Sequence, residues 1–221
     1  MPSSLSRAHE LVRPAGRVLG PRARRTRSRL LDATRELLRE RSVLDIAVVE
    51  IARKAATSAA TFYHYFKDVE DAALELAREA AGEMPAILAL VDGPFGGSAG
   101  LDTARAIARA FLEHWERHHT VLVIRNLAAD RGDPRFAEVR RAALQPFLER
   151  LAVRIAEAQR EGRVSRAMHP FAAAAALGSL LEALSAHTAD LARRGIEREA
   201  LIETSASIVN LVVTGASPTT R

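Results

Sequence analysis

The chain has 221 residues, 48% of them apolar and 27% charged, which is long enough to bury a core and too apolar for global disorder. It contains no cysteine, which excludes disulfides, thiolate metal sites and Cys nucleophiles and fits a reducing, cytoplasmic setting. The net charge of +5 is uneven: residues 1–31 carry eight Arg and one Glu, net +7, which leaves −2 for residues 32–221. A basic arm ahead of a near-neutral body suits a polyanion, nucleic acid being the commoner choice.

Residues 1–21 contain Pro2, Pro14, Pro21, Gly16 and Gly20 among basic and polar residues and read as a disordered or loosely helical arm. They have no apolar stretch followed by a cleavage pattern, so they do not read as a signal peptide. The longest apolar run, Phe171–Leu181, is far short of the ~20 residues of a membrane span, and no membrane partner is expected.

A helix is predicted from about Arg24 to Arg41, with Leu30, Leu31, Thr34, Leu37 and Leu38 on one face at 3.6-residue spacing. Ser42–Asp45 connects it to a short helix, Val48–Lys54, which buries Ile51, Ala52 and Ala55. Ala56–Ser58 is a turn, and Ser58 can cap the next helix, Ala59–Tyr65, by accepting the Thr61 N–H. Phe62 and Phe66 lie four apart and face inward, which turns Thr61, Tyr63 and His64 outward. Two short helices around a tight turn are the geometry of a DNA-binding helix-turn-helix.

Asp68 starts a longer helix with Leu74, Ala77, Ala81, Met84, Leu88 and Val91 at alternating three- and four-residue spacing. Pro85 should kink or end it near Met84. Residues 92–100, DGPFGGSAG, read as a loop whose glycines lack the ending of a phosphate loop. Further helices are predicted at 101–118, at 120–129, from Asp133-Pro134 to about Glu161 with Gly162 as terminator, from His169-Pro170 to near Gly195, and at 196–213. No convincing strand appears. The expected fold is all-α, with a basic arm at 1–21, a helix-turn-helix DNA-binding domain at 22–67 and a helical ligand-binding and dimerisation domain at 68–215.

In that last part, Phe111 and Trp115 share a face and could wall a pocket with Leu122, Asn126, Phe147, Leu151, Leu177 and Leu181, although a plain helical core has the same spacing. Asn126 would be its polar anchor. Leu201, Ser205, Ile208, Val209 and Val212 form a stripe which, with the small residues Gly178 and Ser185 and the Ala172–Ala176 run, suits a homodimer interface. His114 and His118 have metal-compatible spacing, but no carboxylate accompanies them in a recognised motif, so no metal site is assigned. No nucleophile–base pair or dinucleotide fingerprint occurs; neither an enzyme nor a cofactor is expected.

Two segments, RLLDATRELLRER and VVEIARKAATSAATFYHYFKDVEDAALELA, make residues 26–76 resemble the DNA-binding domain of the TetR family of bacterial repressors. The resemblance implies that Thr61 and Tyr63 contact DNA, with the Tyr63 hydroxyl on a phosphate. It makes His64 and Lys67 further backbone contacts and places Ser58, Ala59 and Ala60 at the end of the recognition helix that nears base edges. Arg22, Arg24, Arg25 and Arg27 would add phosphate affinity. Three positions depart from the family pattern: Ala47 lacks a capping hydroxyl, Ala56 replaces a turn glycine, and Val69 replaces a common Lys. The implied function is a dimeric repressor that binds a pseudo-palindromic operator in double-stranded DNA and is released by a small, apolar effector. The alternative is a DNA-binding regulator without such an effector, controlled by a protein partner or acting architecturally.

Overall fold

The computed structural model describes residues 20–215, so nearly all of the predicted arm lies outside the described residues. Among the described residues all regular structure is helical. The chain divides into two compact units, residues 1–76 and 77–221.

In the first unit α1 (Pro21–Glu40) starts earlier than its apolar stripe indicates. Pro21 sits in its first turn, where a missing N–H costs nothing. Leu30, Leu31, Leu37 and Leu38 are buried as expected. Thr34 is buried with them because its hydroxyl donates to the Leu30 carbonyl at 2.8 Å. A 3₁₀ turn, Val43–Asp45, leads to α2 (Val48–Lys54), which buries Ile51 and Ala52. Ala47 offers its helix no side-chain acceptor; its own N–H is instead accepted by Glu50 at 3.0 Å. Val69, the other departure from the family pattern, is buried.

The end of α2 is closed by Thr57 N–H to Ala52 O at 2.9 Å and Ala56 N–H to Arg53 O at 3.1 Å. This is the Schellman arrangement, which wants a left-handed residue at the first position past the helix cap. The same pair of bonds closes α7 on Gly162, but here the position is Ala56, at φ +49°. An L-residue there costs about 1–2 kcal/mol, part of which glycine would return through its looser unfolded chain. Ala56→Gly is therefore expected to stabilise this unit by about 0.5–1 kcal/mol, measured as a rise in denaturation midpoint.

Helix α3 (Ala59–Tyr63) is shorter than expected. His64 and Tyr65 form a tightened turn, with Tyr65 N–H on Phe62 O at 2.9 Å. Helix α4 (Val69–Ala81) is started by Asp68, whose carboxylate accepts the Asp71 N–H at 2.7 Å, while Asp71 accepts the Lys67 N–H at 3.0 Å.

The second unit contains α5 (Met84–Leu90), α6 (Gly97–Asp130), α7 (Pro134–Arg160), α8 (Pro170–Ala186), α9 (Thr188–Arg193) and α10 (Arg198–Thr214). The interruption expected at Pro85 occurs at Gly82-Glu83, and Pro85 falls in the first turn of α5, where it is tolerated. Asp133 and His169 cap α7 and α8 as predicted, accepting N–H groups at 2.9 and 3.4 Å. Gly162 adopts the expected left-handed conformation.

Three boundaries differ. The 92–100 loop ends at Gly96, and α6 begins with Gly97. The helices expected at 101–118 and 120–129 are one continuous α6. The helix expected to run to Gly195 stops at Ala186, where the Thr188 hydroxyl takes the Ser185 carbonyl at 2.9 Å, and α9 follows separately. α6 packs against α7, α8 and α10 around a core that includes Phe111, Phe147, Ile155, Leu177 and Val209.

Candidate nucleic-acid interface

Phe62 and Phe66 are fully buried with ring centroids 5.4 Å apart, which anchors α3 from below. Tyr63 stands 60% exposed, its ring edge-on to Phe62 at 5.8 Å. His64, Lys67, Ser58 and Ala60 are also exposed, and Ala59 is half-buried. The Ser58 Oγ accepts the Thr61 N–H at 3.1 Å, as expected of a cap, and lies 2.9 Å from the Thr61 hydroxyl. That contact holds the Thr61 side chain in one orientation, half-buried at the helix start.

The arginines of α1 separate by helical phase. Arg22, Arg24 and Arg25 are exposed. Arg27 is turned inward: it pairs with Glu75 and lies over the Phe66 ring, 5.4 Å from its centroid. Unlike the other three arginines expected at DNA, it braces the base of the aromatic cluster. The residues in phase with Arg22 are Thr26 and Arg29, and these line an open cleft of ≈ 630 Å³ together with Thr57, Thr61 and Tyr65. Arg29 and Thr57 escaped the sequence reading, although the spacing Arg22, Thr26, Arg29 is that of one helix face. Two guanidiniums and three threonine hydroxyls around one recess are the groups that bind phosphate oxygens.

Residues 30–76 match the family described as "Bacterial regulatory proteins, tetR family", and residues 88–220, more than half of the chain, match "Tetracyclin repressor-like, C-terminal domain". The chain belongs to the TetR family of transcriptional regulators. Similar solved structures share its fold at low identity. FadR of Bacillus halodurans is 16% identical, with a TM-score of 0.64 over 90% of this chain and 98% of its own. FadR of Bacillus subtilis, solved in complex with stearoyl-CoA, is 17% identical, with a TM-score of 0.62 over 86% and 98%. GusR of Salmonella enterica is 19% identical, with a TM-score of 0.61 over 85% and 95%. No curated protein sequence matches this chain. TetR-family regulators bind DNA through the first unit and carry a ligand-binding helical second unit. No helix among the described residues is long and apolar enough to cross a membrane.

In the second unit of this TetR-family chain the eight expected pocket walls do not share one lining. Phe111, Phe147, Leu151, Leu177 and Leu181 belong to the main core, where Phe111 and Phe147 pack edge to face with centroids 5.0 Å apart. Trp115 and Leu122 form a smaller cluster with Ala80. Asn126 is half-buried and accepts Arg125 Nε–H at 3.0 Å, so its amide oxygen serves that arginine. Beside Leu181 a cleft between α6, α8 and α10 holds ≈ 10 Å³, room for a water at most. A larger open groove of ≈ 630 Å³ runs along α5, with Pro85, Ile87, Leu90 and Ala110 as apolar lining and Glu83, Glu113 and Arg117 as charged lining.

The residues of the expected dimer stripe lie mostly inside the chain. Gly178, Ser185, Leu201, Ser205 and Val209 are buried within one chain, and Ile208 and Val212 are half-buried. A Cβ on Gly178 would meet Leu148 Cδ2 at 2.6 Å, so this glycine serves packing of α8 on α7. The small and apolar residues exposed on these helices are Phe171, Ala172, Ala176, Ser179 and Ala183 on α8 and Ala200, Thr204 and Leu211 on α10. Periodicity finds the stripe but not its direction, since both faces of these helices are weakly polar.

Two polar groups inside this unit stand out. Arg125 is 1% exposed and is held by Glu182 at 2.8 Å. Burial pushes its guanidinium below the ordinary value, and the Glu182 carboxylate acts in the opposite sense. His114 and His118 meet a carboxylate after all. Glu83, from the break between α4 and α5, lies 3.4 Å from His114 Nδ1, 2.8 Å from His118 Nε2 and 2.8 Å from the Arg117 guanidinium. Burial pushes the Glu83 carboxyl up, but hydrogen bonds from Arg117, His118 and His114 outweigh it and leave the carboxyl at about 2. Burial pulls His114 below the usual histidine range.

Proposed function

We propose that this regulator is a repressor that binds a pseudo-palindromic operator as a homodimer and leaves it when a small, apolar effector binds the second unit. The observation that supports the DNA face is the exposed set Tyr63, His64 and Lys67, beside the cleft lined by Arg22, Arg29, Thr57 and Thr61. In a dimer, two such faces would enter successive major grooves ~34–36 Å apart. An effector that prefers a different separation lowers DNA affinity, and DNA must weaken effector binding by the same factor. Full reversal of a 99:1 population needs about 5.5 kcal/mol of differential binding.

The effector site we favour is the α5 groove, whose volume suits a drug-sized molecule. Ile87 lines it and also belongs to the core of Phe111 and Phe147, so a ligand can reach that core by parting α5 from α6. The stearoyl-CoA held by the Bacillus subtilis FadR is a precedent for a largely apolar ligand on this fold. Operator-bound protein, followed by fluorescence anisotropy, should release DNA on titration with a long-chain acyl compound or another apolar small molecule. If no small molecule does so and a protein partner does, the sensor reading fails.

The dimer would join the exposed sides of α8 and α10. Ala176→Arg with Leu211→Glu should give a folded monomer at micromolar concentration in sedimentation, where the wild type is a dimer. An unchanged dimer in that variant would place the interface elsewhere.

A further inference from the structure

The geometry points to a divalent transition-metal site formed by Glu83, His114 and His118. Each residue offers one donor atom, and the three atoms lie within 4.8 Å of one another. His114 and His118 are one turn apart on α6, so both imidazoles leave the same face, with ring centroids 5.1 Å apart. Glu83 divides its carboxylate between them, one oxygen to each ring. Tetrahedral bonds of ~2.0–2.2 Å place ligand atoms ~3.4 Å apart, so closing the trio on an ion needs small side-chain adjustments and no backbone change.

The donor set selects the ion. Two imidazoles and a carboxylate, in a chain without cysteine, suit Zn²⁺, Co²⁺ or Ni²⁺ better than thiolate-seeking Cu⁺ or oxygen-seeking Mg²⁺ and Ca²⁺. Three protein ligands leave a fourth position for water or for a group on a bound molecule. Glu83 also lines the α5 groove, which puts one of the three ligands at the groove's edge. The present partner of the carboxylate, Arg117, is 55% exposed and is free to swing into solvent as the ion arrives. His114 is 2% exposed, and its Nε2 has no hydrogen-bond partner among the described residues, so the ring's interaction with its surroundings is concentrated at Nδ1, the atom facing Glu83. A cation here ties the α4–α5 break to α6, fixing the one element of the cluster that is not inside a helix. The inference stands apart from the effector reading, since it concerns metal binding alone.

The test uses the tag-free full chain stripped of metal. Titration with Zn²⁺ in a calorimeter should give one ion per chain. Glu83→Gln and His118→Gln should each weaken binding at least about tenfold, as loss of a ligand does at least as much as loss of its supporting partner. His119→Gln, whose Nε2 is engaged with the Ala186 carbonyl, should bind as the wild type does. Circular dichroism melts report whether each variant is folded. Co²⁺ added to the wild-type protein should give the visible absorption of a low-coordinate ion with imidazole ligands, a readout that needs no variant. The site is refuted by the absence of both stoichiometric Zn²⁺ binding and the Co²⁺ spectrum, in which case the trio is an ion-pair cluster only. Undiminished binding by a folded Glu83→Gln/His118→Gln double variant refutes it equally.

Discussion

Glu182→Ala is expected to destabilise the second unit by about 3–5 kcal/mol, because it leaves Arg125 charged and alone in the interior. Arg125 is 1% exposed, and Glu182 is its charged partner at 2.8 Å; Asn126 supplies only a neutral amide oxygen, to Nε. Arg125→Met with Glu182→Leu should cost far less, since replacing a buried pair by apolar groups of similar volume is often neutral. Chemical denaturation followed by the fluorescence of Trp115, the sole tryptophan and buried in the same unit, measures both. A loss under 1 kcal/mol for Glu182→Ala would mean that the pair is solvated and does not organise this part of α6.

Thr61→Ala with Tyr63→Phe is expected to weaken operator binding at least about a hundredfold without unfolding the first unit. Each hydroxyl is assigned one hydrogen bond to an ionised phosphate, and such bonds contribute about 1.5–3 kcal/mol apiece. The Phe ring keeps the edge contact that Tyr63 makes with Phe62. Neither hydroxyl carries charge, so the slope of log K against log salt should stay near the wild-type value. Lys67→Ala should instead lower that slope by about one unit. Unchanged affinity in the double variant would remove both residues from the DNA face.

The first unit was readable in the sequence because its signals are local. Ser58 is an N-cap three residues before the N–H it accepts, and Phe62 and Phe66 repeat at four residues over a short helix. The strain at Ala56 was legible too, since a left-handed turn position without glycine is costly wherever it occurs. The inward turn of Arg27 follows from helical phase, which a count of charge along the arm does not carry. In the second unit, α6 was split near residue 119 although its buried stripe Ala104, Ala108, Phe111, Trp115, Leu122, Arg125 and Ala129 stays in phase throughout. Half-buried His118 and fully buried Arg125 interrupt its apolar character. Both are satisfied by carboxylates distant in sequence, Glu83 and Glu182, which no local pattern reveals. Polar residues inside an apolar period were thus the sign of partners supplied by another element.

The proposed function requires two copies of α3 to present Tyr63, His64 and Lys67 to duplex DNA. Selection of binding sites from a randomised duplex library with the purified full-length protein tests this most directly. The expected result is an enriched pseudo-palindrome whose half-sites are separated by about one helical turn or a multiple of it. A selection that enriches no motif, or a motif without two-fold symmetry, would contradict it.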